Sequence, residues 1–107
     1  MLDESVTLKQ LKEEVARFVH ERSWEHYHNL KDLAIALSVE ASELLNLFKW
    51  KRVEELNVDM ESIEDELADV VIYALCIANV LETDLSNAIL KKLEKNRAKY
   101  PIGSRLG

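Results

Sequence analysis

Four carboxylates stand where an amphipathic pattern calls for apolar side chains. Glu40 lies between Leu37, Ala41 and Leu44, and Glu43 follows three residues on. Glu66 lies between Ile63, Leu67 and Val70, and Asp69 again follows three residues on. A step of three places both members of a pair on one helix face, so each pair turns toward the side that its helix buries. An unpaired carboxylate in an apolar setting is costly and neutralises by taking up a proton, and four together also repel. A divalent cation is the simplest compensation. A donor set of oxygens, with no cysteine and no required histidine, favours Mg2+ or Mn2+ over zinc. Mg2+ keeps several waters and shares its shell with substrate phosphates, which suits an acidic chain that handles a nucleotide. The competing reading is a solvated acidic face, because E-x-x-E arises easily in a chain with 20 Asp and Glu. A di-iron bundle requires two E-x-x-H motifs on helices; only Glu25–His28 matches, and it falls in a connection.

The elements that position these groups are helices. The chain has 107 residues, and its two Gly and one Pro all lie in the last seven. Leu8, Leu11, Val15, Phe18 and Val19 recur at steps of three and four, with Thr7 and Gln10 forming a capping box at the start. Residues 24–29 lose the period and read as a connection, with Asn29 as the next N-cap. A second helix runs from about Leu30 to Trp50 on the stripe Leu33, Leu37, Ala41, Leu44 and Phe48. Residues 51–60 read as a loop. A third helix runs from about Ser62 to Leu81 on Ile63, Leu67, Val70, Ala74, Ile77 and Leu81. Asp84 caps a fourth, which carries Leu85, Ile89 and Leu93 and ends before Pro101. The pattern predicts an all-α, four-helix bundle in a single domain over residues 1–101, with a mobile tail at 102–107. Val71, Ile72 and Leu75 lie off the third helix's main stripe, and a helix apolar on several sides is buried on several sides. In so small a chain the extra face predicts a second copy across a two-fold axis.

Composition narrows the function. With 14 Lys and Arg against 20 Asp and Glu, the formal charge is −6, which argues against a reader of nucleic-acid duplexes. Without Gly before residue 103, neither G-x-G-x-x-G nor a P-loop can be written. The lone Cys76 allows no intrachain disulfide and fits a reducing cytosol. The first apolar run is broken by Asp3 and Glu4, so no N-terminal signal is expected. The longest apolar stretch, Val70 to Ala78, is too short for a membrane span. The expectation is a cytoplasmic protein with no membrane contact.

The two pairs, Glu40-Ala-Ser-Glu43 and Glu66-Leu-Ala-Asp69, resemble the E-x-x-E…E-x-x-D arrangement of the all-α nucleoside triphosphate pyrophosphohydrolases, the MazG and dUTPase-2 superfamily. The dCTP pyrophosphatase branch is the most similar. Its likeness rests on Glu21 to His28, on Ala36-Leu37 through the first pair to Leu47-Phe48-Lys49-Trp50-Lys51, and on Glu66 to Tyr73. It continues through Asp84-Leu85, Ala88, Lys92, Asn96 and Tyr100-Pro101. The resemblance spans residues 8–101. It implies hydrolysis of a nucleoside triphosphate between the α and β phosphorus, giving monophosphate and pyrophosphate, with dCTP or a modified pyrimidine nucleotide favoured. It also implies Mg2+ held by Glu40, Glu43, Glu66 and Asp69, with Glu43 or Glu40 taking the water's proton, and a homodimer or homotetramer. Nucleotide-pool housecleaning follows by analogy.

The same resemblance gives roles to other residues. Lys92, Asn96 and Tyr100 recur at steps of four and share one face of the fourth helix. A snorkelling lysine and an exposed amide would show the same spacing; the resemblance implies contact with the triphosphate and sugar. Trp24 and Trp50 flank the second helix and would wall the nucleobase pocket, the alternative being aromatic lids on the core. His28 would contact base or phosphates, and Tyr73, one turn after Asp69, would bring its hydroxyl to the carboxylates. Ser23 stands where that branch leads one to expect an acidic residue. The rival to an enzyme is a metal-free helical oligomer that acts as a protein-interaction module. It would leave Glu40 and Glu66 to solvent or to Lys and Arg partners.

Overall fold

A computed structural model describes residues 1–49 and 59–104. Trp50, most of the expected 51–60 loop and the last three residues of the expected tail lie outside the described residues. Among those described, the chain is all helical: α1 Leu8–Glu21, α2 Leu30–Asn46, α3 Met60–Leu81 and α4 Leu85–Lys99, with short 3-10 turns at Leu2–Glu4 and Glu25–Tyr27.

Each start has its chemical cause. The Thr7 hydroxyl accepts from the Gln10 amide at 3.1 Å, and the Gln10 side chain accepts from the Thr7 amide at 2.7 Å, a reciprocal capping box. Asn29 caps α2 through the Asp32 amide, and Asp84 caps α4 through the Asn87 amide, each at 2.9 Å. Asp59 precedes α3 without a side-chain cap bond. The second helix ends at Asn46 rather than near Trp50. The amides of Leu47 and Phe48 bond back three residues, to Leu44 and Leu45, and such tightening marks a helix end.

Helices α1 and α3 stop in the same way without glycine. Ser23 and Glu82 adopt left-handed backbone, with φ of 55° and 53°. The following amides, of Trp24 and Thr83, reach back to the carbonyls of Val19 and Ala78, both at 3.1 Å, closing Schellman-type turns.

Helix α3 is the centre. Both α1 and α2 pack on it, while α4 adds little to the packing. Val19 from α1, Leu33 from α2 and Cys76 from α3 form the buried cluster, with Val15, Tyr73 and Ile77 against it. Leu75 and Ala78 are also buried. A clasp ties α1 to the α3–α4 turn: the Lys12 ammonium donates to the Thr83 carbonyl at 2.6 Å, and the Asn79 amide donates to the Lys12 carbonyl at 3.1 Å.

The core is smaller than the apolar stripes require. Leu11, Phe18, Leu67, Leu81, Ile89 and Leu93, all expected inside, are exposed. Among the described residues, these parts of the stripes stay uncovered. The radius of gyration is 16.4 Å, against about 13 Å for a compact domain of this length. The accessible surface is 8910 Å², against about 6,100 Å² for a folded monomer of this mass.

Candidate functional site

Packing α2 on α3 brings three of the four sequence-picked carboxylates together. One oxygen each from Glu40, Glu66 and Asp69 lies within 4.8 Å of the other two, and all three residues are half-buried. Glu43 stands one turn further along α2 and is exposed. Burial pushes the Glu66 carboxyl above the usual carboxylate range, and the charges of Glu40, Asp69 and Glu43 push it further. Its Oε2 is sealed from solvent and has no hydrogen-bond partner among the described residues.

These observations fit a hard divalent cation. Mg2+ binds oxygen at about 2.0–2.1 Å in octahedral geometry, so neighbouring and opposite ligands lie about 3 to 4.2 Å apart. Three oxygens within 4.8 Å need only a small contraction to match. The cation would also supply the partner that Glu66 Oε2 lacks.

Beside Asp69 opens a cavity of about 330 Å³ lined by Glu14, Val15, Phe18, Ile72 and Tyr73. It is mostly apolar and at the small end of ligand pockets, and Tyr73 lines it together with Asp69. Trp24 reaches this region only through Phe18. The two rings meet edge to face at 5.8 Å and 75°, with the Arg22 guanidinium 3.7 Å over the Phe18 ring.

Other expected residues lie elsewhere. His28 lines a separate cavity of about 330 Å³ with Val19, His20, Glu25, Cys76 and Asn79. There His20 Nδ1 lies 2.7 Å from a Glu25 oxygen. That hydrogen bond and the carboxylate's charge lift the imidazole above its usual range and lower Glu25. His20 is exposed, and its five-residue separation from Glu25, across a helix end, gives no periodic signal in the sequence. Lys92 and Asn96 lie in a groove formed by α4 alone, with Leu85, Ala88, Ile89 and Leu93. Tyr100 ends that helix, with the Lys99 ammonium 5.3 Å from its ring centre. None of these three lines the cavity beside Asp69. Phe18 and Glu14, which do line it, were missed as site residues. Phe18 was assigned to the core stripe, and Glu14 carries no signal beyond its position next to Val15.

The MazG-like family model matches residues 35–106, which contain both carboxylate pairs. The chain belongs to the MazG-like family. Among its relatives, dCTP pyrophosphatase 1 of Bos taurus is 35% identical over 102 residues, covering 90% of this chain and 60% of the relative. The Homo sapiens protein of the same name is 36% identical over 101 residues, covering 89% and 59%. The chain thus spans about three-fifths of the length of these mammalian relatives. The crystal structure of a pyrophosphatase from Archaeoglobus fulgidus DSM 4304 superposes with a TM-score of 0.80 at 38% identity, covering 87% of this chain and 91% of that one. The all-α architecture is therefore the MazG-like fold. Among the described residues, no helix is long and apolar enough to cross a membrane.

Proposed function

We propose that this MazG-like chain is a Mg2+-dependent nucleoside triphosphate pyrophosphohydrolase, converting (d)NTP to (d)NMP and pyrophosphate, with dCTP or a modified pyrimidine nucleotide favoured. Its role would be cytoplasmic housecleaning of the nucleotide pool. The observation that carries the reading is the convergence of Glu40, Glu66 and Asp69 from two helices onto one point beside an apolar cavity. The names of the mammalian and archaeal relatives support it.

Glu40, Glu66 and Asp69 would hold the cation, which when bound offsets the charge that builds on the leaving pyrophosphate. Glu43 is exposed one turn away and is free to accept the proton of the water that attacks the α phosphorus. The bond from the α phosphorus to the bridging oxygen breaks, and that oxygen leaves with pyrophosphate. Val15, Phe18 and Ile72 would sandwich the base away from water, with Tyr73 at the edge toward the phosphates. Trp24 would brace Phe18.

Lys92, Asn96 and Tyr100 would contact triphosphate and sugar. Because α4 packs little within its own chain, its residues would serve the site most directly in a homodimer or homotetramer. The first contact we assign is the outer face of α3, where Val71 is exposed.

Product analysis tests the reading. Each common (d)NTP is incubated with protein and Mg2+, with an EDTA control, and monophosphate, diphosphate, pyrophosphate and phosphate are resolved. Monophosphate plus pyrophosphate, lost with EDTA, is expected. Release of diphosphate and phosphate, or turnover indifferent to EDTA, would overturn it.

A further inference from the structure

The cavity between α1 and α3 holds a charged group that the carboxylate cluster does not use. Among its lining residues Val15, Phe18 and Ile72 are apolar, and Glu14, Asp69 and Tyr73 are polar. Asp69 belongs to the cluster with Glu40 and Glu66, and Glu14 does not. The Glu14 side chain is 66% exposed at the rim, and the Arg17 guanidinium donates to its Oε1. The neighbouring Glu13 shows the ordinary alternative. It pairs with Lys9 at 3.7 Å and is not among the residues that line the cavity. Exposed ion pairs along a helix add little to stability, so folding alone gives no reason for a carboxylate at the mouth of an apolar cavity.

The two helices fix where Glu14 stands relative to Asp69. Lys12 meets Asn79 and Thr83, while Phe18 shares the cavity with Asp69 and Ile72, so α1 and α3 run antiparallel. From Asn79 back to Asp69 is ten residues of α3, about 15 Å, and from Lys12 to Glu14 is two residues of α1, about 3 Å. Glu14 is therefore displaced by about 12 Å along the helices from Asp69, toward the other end of the cavity. A nucleotide with its phosphates at the carboxylate cluster lays sugar and base along that span. The edge of its base then comes to Glu14.

An ionised carboxylate accepts hydrogen bonds and does not donate them. Cytosine presents an amine at its 4-position, whereas uracil and thymine present a carbonyl oxygen there. A glutamate accepting from the cytosine amine is a recurring pairing. The same glutamate facing a carbonyl sets two acceptors against each other and leaves both unpaired. We propose that Glu14 selects cytosine over uracil and thymine, its Oε2 accepting from the 4-amino group while Arg17 holds Oε1. The inference rests on the nucleotide reading of the site and deepens it: Val15 and Phe18 hold a pyrimidine by its faces, and Glu14 decides which pyrimidine stays.

Nucleosides test this without phosphates or cation. Deoxycytidine and deoxyuridine are titrated into the full chain in EDTA and followed by NMR, for wild type, Glu14→Gln and Glu13→Gln. Wild type is expected to bind deoxycytidine about 10-fold more tightly than deoxyuridine. A glutamine amide can donate to the uracil carbonyl, so in Glu14→Gln the preference should disappear or reverse. Glu13→Gln should keep the wild-type preference. A wild type that binds both nucleosides equally, or binds neither, overturns the proposal. So does an undiminished preference in Glu14→Gln, or an equal loss in Glu13→Gln. With Mg2+ present, the kcat/KM ratio of dCTP to dUTP should follow the same pattern. A protein that discriminates the nucleosides through Glu14 but releases no pyrophosphate would overturn the hydrolase reading and leave this selection standing. Equal hydrolysis of dCTP and dUTP by wild type would do the reverse.

Discussion

The Glu66 carboxyl is held above the usual carboxylate range, and its behaviour without a cation gives a direct test. Its affinity for protons is raised by burial and by three neighbouring carboxylates. A group whose folded value lies above its unfolded one stabilises the fold at low pH, and that stability is lost as pH rises through the folded value. In EDTA, the melting temperature is therefore expected to fall as pH rises from the ordinary glutamate range toward neutrality. Mg2+ should reverse the fall, since it binds the folded state alone. Thermal melts of wild type and Glu66→Gln, with and without Mg2+, check this: the variant should lose the Glu66 part of the slope and the response to Mg2+. Asp69 shares the cluster but also borders the apolar cavity. Asp69→Asn keeps its shape and removes its charge. Metal stabilisation of transition-state charge amounts to several kcal/mol, so turnover should drop by about 100-fold or more, with circular dichroism unchanged.

Helix ends supply a second kind of test. Glu82 ends α3 in left-handed backbone, a conformation that costs an L-residue roughly 1–2 kcal/mol. Glycine avoids that cost but gives back part of the gain through its freer unfolded chain. Glu82→Gly is expected to stabilise the fold by about 0.5 kcal/mol, read from the midpoint of urea unfolding at unchanged slope. The turn it ends is also where Lys12 clasps the Thr83 carbonyl, so α4 leaves the body from a point anchored by α1. The apolar stripe of α4, with Ile89, Leu90 and Leu93, stays exposed.

At the scale of the whole molecule, the uncovered apolar residues are the feature that calls for a test. Among the described residues five are buried, few for a chain nearly half apolar, and uncovered apolar residues lie on all four helices. Burying them between copies would bring the exposed surface toward that of an ordinary folded protein. Association also couples to stability by mass action. The thermal midpoint is therefore expected to rise with protein concentration over the micromolar range. A midpoint independent of concentration, in a protein that sediments as a monomer, would contradict this. The fourth helix contributes charge as well. It carries five basic residues against Glu94 alone, in a chain whose formal charge is −6, so a partner's α4 meeting the carboxylate-bearing surface would be electrostatically favourable.

What could be read along the chain was what depends on near neighbours. Thr7, Asn29 and Asp84 announced three helix starts because a capping side chain and the amide it accepts from are three residues apart. Glu40, Glu66 and Asp69 stood out because a carboxylate on a buried stripe violates a period that sequence displays directly. The partnership of Glu40 with Asp69, while Glu43 remains exposed, required the angle at which α2 meets α3. The placing of His28 in a different cavity from Tyr73 required the path of the chain around the end of α1. The exposure of Leu67 and Leu93 could not be foreseen either, because a period says which side of a helix is apolar but not what covers it. Local spacing carries the chemistry of each residue; which residues share a site is set by helix packing, an energy summed over contacts far apart in sequence.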